Sequence, residues 1–290
     1  MIQSHKLKKM KKLTFIVSLF ILVGCSKDDD VPPQYNFIEN YHVDYMNYNI
    51  TPINLVDYGN WLVELEYSNN KIVRRSGAVI EAASIASTEF TYNTYDELTY
   101  DADKITIEKK NVYNESHSLT TIINLDGDKM IKKVQIYPWN DSIKTAYTYN
   151  SDNLLIKTYN EEIDYNNKLL FFEDATFYYN SSKNLDSIVT IRQSYLSSSV
   201  PNYEPSIEEF TPYKKVVEIF SDYDTSKNLA KNLFIFEETF TRSLSENNYG
   251  RYEKHTYNAN NGGPFQLISK EGQIWDLQYD SDGNILFNTF

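Results

Sequence analysis

Along most of the chain, apolar residues alternate with polar ones in short runs that end in clusters of Asn, Asp, Ser and Gly. The sharpest instance closes the sequence. Trp275, Leu277 and Tyr279 alternate with Asp276 and Gln278, Asp280-Ser-Asp-Gly283-Asn284 supplies a turn, and Ile285 and Phe287 resume the apolar positions. Period-two alternation is the mark of a strand with one buried face, and a polar cluster with a single Gly suits a tight turn. The unit therefore reads as a β-hairpin.

Looser copies begin at Trp61. The first sets Trp61, Val63, Leu65 and Tyr67 against Glu64 and Glu66, turns at Ser68-Asn69-Asn70 and continues into Lys71-Ile72-Val73. Others turn after Tyr100, after Leu125 (through Asp126-Gly127), after Tyr149-Asn150 and after Tyr179-Asn180, with weaker copies at Tyr223-Asp224 and Tyr257-Asn258. The markers lie 22 to 44 residues apart. Two strands and two turns need about 20–25 residues, so the longer gaps imply inserted loops. Ser194–Pro212, with Pro201 and Pro205, reads as one such loop, and Asn260–Pro264 as another. Ala78–Ser87 is the stretch with most helix propensity and is expected to form one short helix. About eight hairpins, roughly sixteen strands joined by local turns, predict an all-β antiparallel meander forming a rolled or barrel-like sheet.

The first 35 residues follow another pattern. Five lysines (Lys6, Lys8, Lys9, Lys11 and Lys12) precede an apolar run, Leu13 to Val23, too short to span a membrane. The run ends in Leu22-Val23-Gly24-Cys25, which holds the only cysteine of the chain. Residues 1–24 are expected to be a signal peptide, 25–35 an acidic tether containing Asp28-Asp29-Asp30 and Pro32-Pro33, and 36–290 one β-repeat domain. Met10-Lys11-Lys12 would serve as a start as well as Met1 does.

The leader, with Cys in place of the usual last small residue, resembles a bacterial lipoprotein lipobox. That resemblance implies cleavage before Cys25, a diacylglycerol thioether on its sulfur and acylation of the new amino group. Several acyl chains make a stable anchor. Ser26-Lys27-Asp28-Asp29-Asp30 is similar to the acidic export tag of surface lipoproteins of Bacteroidetes-type bacteria, which implies an outer-membrane protein on the cell surface. Tyr279-Asp280-Ser-Asp-Gly283-Asn-Ile285 resembles one YD repeat of the Rhs/YD family, while Tyr149-Asn150, Tyr179-Asn180 and Tyr257-Asn258 lose both the Asp and the Gly. The combination of lipobox and degenerate tyrosine hairpins, over about residues 58–290, is similar to Bacteroidetes lipoprotein domains of unknown function with a porin-like fold. It implies a rolled all-β sheet and no known activity.

Charge and chemistry narrow the picture further. The net charge of −12 becomes more negative once the leader's lysines are removed, and it repels phosphate backbones, so nucleic acid is not an expected partner. His42, His117 and His255 are far apart and form no metal motif, Cys25 is consumed by lipid, and no nucleophile elbow or phosphate-binding loop occurs. Gly262-Gly263 precedes Pro264 and reads as a turn. Asp280–Asn284 lacks the Gly and Glu spacing of a calcium loop. Adjacent acids (Glu161-Glu162, Glu208-Glu209, Glu237-Glu238) would point to opposite faces of strands. Glu64 and Glu66 share a face at a spacing a glycosidase could use, but on the solvated side. Of the tryptophans, Trp61 and Trp275 are expected in the core and Trp139, after Pro138, on the surface. Phe290 invites a membrane-barrel reading, but Asn288, Leu286 and Asn284 on its face do not make a lipid-facing row.

These observations predict a lipid-anchored outer-membrane protein without catalysis and without cofactor or metal. Its role would be to bind a glycan, a peptide or another envelope protein. A secreted carbohydrate-active hydrolase and a periplasm-facing partner of an envelope complex are the alternatives.

Overall fold

The computed structural model describes residues 38–46, 61–82, 87–113, 119–166, 168–195, 209–260, 263–281 and 285–287. Within Ile38–Phe290, fourteen antiparallel strands form one sheet in which each pairs only with its neighbours in sequence. They are β1 (Asn40–His42), β2 (Leu62–Ser68), β3 (Lys71–Ala82), β4 (Ser87–Tyr100), β5 (Lys104–Asn111), β6 (Leu119–Asp126) and β7 (Lys129–Ile136). The second half comprises β8 (Ser142–Tyr149), β9 (Leu155–Ile163), β10 (Leu169–Tyr179), β11 (Leu185–Tyr195), β12 (Phe210–Tyr223), β13 (Tyr249–Asn258) and β14 (Gln266–Ile274). β1 and β14 do not pair, so the sheet is open. The predicted all-β meander is what forms.

The marker residues acquire a physical role. Tyr67, Leu125, Tyr149 and Tyr179 each sit where the register of their hairpin shifts by one residue. A bulge there places two inward residues three apart on the return strand, in place of two. Thus Ile72 and Arg75, Leu155 and Thr158, and Leu185 and Ile188 are all buried. Four tyrosine hydroxyls then tie their strands to the chain that precedes them. Tyr67 donates to the Ile38 carbonyl at 2.8 Å, Tyr100 to Ile72 at 2.8 Å, Tyr149 to Met130 at 3.0 Å, and Tyr223 to Leu185. Lys71 and Lys129, next to two of these carbonyls, lie over the rings of Tyr100 and Tyr149.

The turns explain why the degenerate copies still turn. Asn150 Oδ1 accepts from the backbone N–H groups of Asp152 and Leu154, and Asn180 Oδ1 does the same for Ser182 and Asn184. Asn thereby replaces Asp in the same side-chain turn. The left-handed position left by the missing Gly is taken by Asn153 (φ 63°) and Lys183 (φ 61°).

Several expectations are corrected. Ala78–Ser87 contributes no helix among its described residues; its ends belong to β3 and β4, where Val79 pairs with Phe90 and Ala78 with Thr91, so tertiary pairing overrides local propensity. Helical structure lies instead between β12 and β13, as a 3-10 helix (Leu229–Leu233) and α2 (Glu237–Ser243), besides a single turn, α1 (Val43–Met46). Pro212, placed in a loop by sequence, lies on β12 opposite Gln193, at a register shift that accommodates its missing N–H. Tyr257 is the penultimate residue of β13, opposite Lys215 and at the register shift of the β13–β14 hairpin, so it does mark a turn, at the end of the sheet opposite the other markers. The clearest copy in sequence is the least regular in structure: after β14 it keeps one isolated bridge, Tyr279 to Ile285.

The helical insert fixes the curl of the sheet. Arg75 on β3 and Gln135 on β7 bond Glu238 and Glu237, and Tyr147 on β8 packs edge-on against Phe240 at 5.9 Å. The Leu185 N–H on β11 donates to Ser245 Oγ at 3.0 Å, and Trp275 after β14 stacks on Arg242. One face of a fourteen-stranded sheet reaches a single seven-residue helix from both sides only by wrapping around it. The C-terminal segment narrows the remaining gap: the His42 N–H of β1 donates to the Phe287 carbonyl at 2.6 Å.

Candidate functional site

The inward face changes character along the strands. Toward the marker turns it is apolar, with Leu98, Ile105, Ile123, Phe177, Ile188 and Phe220 all buried. Toward the opposite turns it becomes polar and charged. A single cross-strand row runs Lys133–Thr145–Asn160–Glu173–Arg192–Lys214–Asn258, from β7 to β13. Asn160 Nδ2 donates to Glu173 Oε1 at 3.2 Å, and the Arg192 guanidinium lies over the Phe171 ring and 3.8 Å from Glu162.

Where the insert meets this polar half, a buried ion cluster forms. Arg75, 4% exposed, lies 3.0 Å from Asp96 and bonds Glu238, and its guanidinium covers the Phe236 ring. Burial would raise the Glu238 carboxyl, but Arg75 outweighs it and holds the group below its ordinary value. At Asp96 burial wins over the same arginine and the carboxyl is raised. Desolvation would lower Arg75, yet its two carboxylates push it up, so it stays charged. The adjoining cavity measures about 80 Å3, room for waters rather than an organic ligand.

Arg242 on α2 is 1% exposed and has no carboxylate in ion-pair range among the described residues. Three aromatic rings hold its charge instead: Tyr45, Tyr249 and Trp275, with centroids 4.2, 4.1 and 4.4 Å away. Nε donates to the Tyr45 carbonyl at 2.6 Å and Nη1 to that of Tyr249 at 3.1 Å. The cage joins α1, the insert and the end of the chain, and its role is to lock them.

A larger recess of about 610 Å3 opens at the marker-turn end, between the turns of three hairpins and the insert. Tyr149, Tyr179, Phe234 and Phe240 wall it, all half-buried. Tyr179 departs from the repeat here: among the described residues its hydroxyl makes no tie of the kind that Tyr67, Tyr100, Tyr149 and Tyr223 make. Burial pushes its phenol well above the ordinary value. The rim carries three lysines (Lys129, Lys183, Lys231) and three acids (Asp128, Asp152, Glu246), with Asn153 and Asn232 between them.

The residues singled out from sequence scatter. Cys25, the tether, His117, Glu208, Gly262 and Phe290 lie outside the described residues. Glu64 and Glu66 are exposed on the outer face, where Glu66 faces Arg74 at 3.7 Å. Trp275 is buried and Trp61 packs against the core, while Trp139 is 59% exposed and stacked on Tyr137. His42 stacks on Trp61, and His255 lies near Glu253. Among the described residues no group of His, Cys and acids could hold a metal ion. Glu237 and Glu238 are not on a strand: they open α2, where the helix dipole favours acids, and both turn to cations of the sheet. The carboxyls that burial raises most plainly on the inner face, Asp96, Glu162 and Glu218, stand on β4, β9 and β12. Each has its own cation or phenol: Arg75, Arg192 and Tyr252. Sequence reading missed Arg75, Asp96 and Arg242. Asp96 was accessible by extending the alternation of Leu98 and Tyr100 backward.

No family model matches the sequence, and no curated protein matches it. Among solved structures, the chain is similar to a porin-like protein from Bacteroides vulgatus ATCC 8482, at 13% identity and a TM-score of 0.49. That comparison covers 80% of this chain and 87% of the other. A porin-like protein from Bacteroides uniformis ATCC 8492 is similar at 10% identity and a TM-score of 0.31, over 73% and 87% of the two chains.

Proposed function

We propose that the protein is a lipid-anchored, outer-membrane binding protein, held by Cys25 and displaying its sheet at the cell surface, without a catalytic role. The aromatic-walled recess of about 610 Å3 carries the binding reading, because it falls within the roughly 300–1,000 Å3 of ligand sites. The outer face of the sheet supports a lipid anchor over a membrane span. Glu66, Arg74, Glu97, Glu108, Lys132 and Lys144 lie on it, where a membrane barrel has an apolar band. A hydrolase is disfavoured by the dispersal of the raised carboxyls over separate strands, each with its own partner.

The test is protease accessibility on intact cells compared with lysed cells, for the wild type and for Cys25→Ala. Cleavage of the wild type on intact cells, with Cys25→Ala lost from the membrane fraction, is the expected result. Protection of the wild type until lysis would replace surface display with a periplasm-facing role.

A further inference from the structure

We infer that the recess between the marker turns and the helical insert binds a neutral oligosaccharide. This rests on the binding reading above and names the ligand's chemical class. Four rings meet at one opening: Tyr149 and Tyr179 from the sheet, Phe234 and Phe240 from the insert. Lys129 lies over the Tyr149 ring and Phe240 packs edge-on against Tyr147, yet all four rings stay half-buried at the opening, where the C–H face of a pyranose ring can stack. Around them the rim is mixed in sign, three lysines against three acids, with two amides between. An anion or cation site would concentrate one sign of charge. A sugar hydroxyl both donates and accepts, and so suits a rim that offers ammonium and amide donors beside carboxylate acceptors.

Two further observations point to a ligand rather than to idle surface. Asp128, Asp152 and Lys183 line the recess, yet none of them appears in an ion pair of the described residues. Asp152 and Lys183 are held in place by their turns: Asn150 and Asn180 fix the backbone of these two loops through side-chain bonds, and Lys183 sits at φ 61°. The second is Tyr179. Its counterparts at Tyr67, Tyr100, Tyr149 and Tyr223 spend their hydroxyls on backbone carbonyls, whereas its own is left for a ligand. The insert wall is itself braced, by the Lys231–Glu246 ion pair at 2.7 Å.

The test is calorimetric titration of the full mature protein in detergent with neutral oligosaccharides, namely α-glucan, β-glucan, mannan and xylan hexamers. Saturable binding of at least one is expected. Tyr179→Ala and Asp152→Ala should each weaken it at least tenfold, Tyr179→Phe a few-fold, and Tyr113→Ala, an 81% exposed residue of another turn, not at all. Asp152 is an exposed turn residue whose bond to Asn150 runs through its backbone N–H, so Asp152→Ala should leave the denaturation midpoint unchanged, and a fall in binding at an unchanged midpoint is not a folding defect. Absence of binding by all four, or binding that survives Tyr179→Ala and Asp152→Ala together, overturns the inference. Binding of charged peptides in place of glycans would overturn it while leaving the binding reading intact. Protease protection on intact cells would remove surface display without touching the recess.

Discussion

The two halves of the inward face share strands, register and curvature but differ in what fills them. Toward the marker turns, buried Leu, Ile, Phe and Tyr pack against the insert. Toward the opposite turns, Lys, Glu, Arg, Asn and Thr face in, and the insert reaches them through Phe236, Glu237 and Glu238. Apolar burial stabilises by roughly 25 cal/mol per Å2, whereas half-buried ion pairs contribute little after desolvation. The fold is therefore held from one end. The other end adds the bonds of Arg75 and Gln135 to the insert, which orient it without supplying most of the apolar burial.

The largest test of that contrast is alkaline pH. Tyr67, Tyr100, Tyr149 and Tyr223 all belong to the apolar end, and burial pushes each up to about 12 from 10.0. Unfolded tyrosine ionises first, so the stability they contribute is complete below pH 10 and is lost as pH rises through 12. Circular dichroism and tyrosinate absorbance should report one cooperative transition in that window. Independent ionisation near pH 10 with the sheet intact would contradict it.

Next is Arg242→Ala, which strips two buried carbonyls of their donor and three rings of their cation. A loss of about 4 kcal/mol is expected by chemical denaturation, at the upper end for a single change. The direct comparison comes third. Leu185→Ala, at a site with no exposure, should cost about 3 kcal/mol, while Thr121→Val, beside the polar cavity, should stay within about 1 kcal/mol. Equal effects would mean that both ends carry the fold. Smallest is the pair of hydroxyl deletions: Tyr100→Phe should cost about 1 kcal/mol for its lost tie to Ile72, and Tyr179→Phe should leave the midpoint in place.

The contrast also explains how far the sequence could be read. Alternation at Val63-Leu65-Tyr67 or at Ile105-Ile107 is plain, and the strands, the meander and the inward side of Trp61 and Trp275 follow from it. The bulges are what conceal the rest. A one-residue shift at Tyr67 turns Arg75 inward, and the shift at Leu125 does the same to Lys133, so a strict period of two places both on the wrong face. Asn150 and Asn180 look like decayed Asp-Gly turns, yet their side-chain bonds do the same work. The recess was not legible at all. It needs Tyr179 and Phe240, 61 residues apart, and the insert that unites them carries Glu237-Glu238-Thr-Phe240-Thr-Arg242, whose β-branched and aromatic residues give no strong helical signal.

The neighbour-only pairing of the sheet sets an order of events. A meander delivered from its N-terminus can add each hairpin to the last over short loops, with little entropy lost per step. The Arg242 cage breaks that sequence, because it draws Tyr45 from the start of the domain and Trp275 from near the end. The insert cannot finish docking until β14 has been made. Until then the chain is a growing ribbon with an open apolar face, the species most exposed to misassembly. The stretch that begins at Trp275 thus acts as a completion signal, and truncation before Trp275 should trap the ribbon rather than trim it.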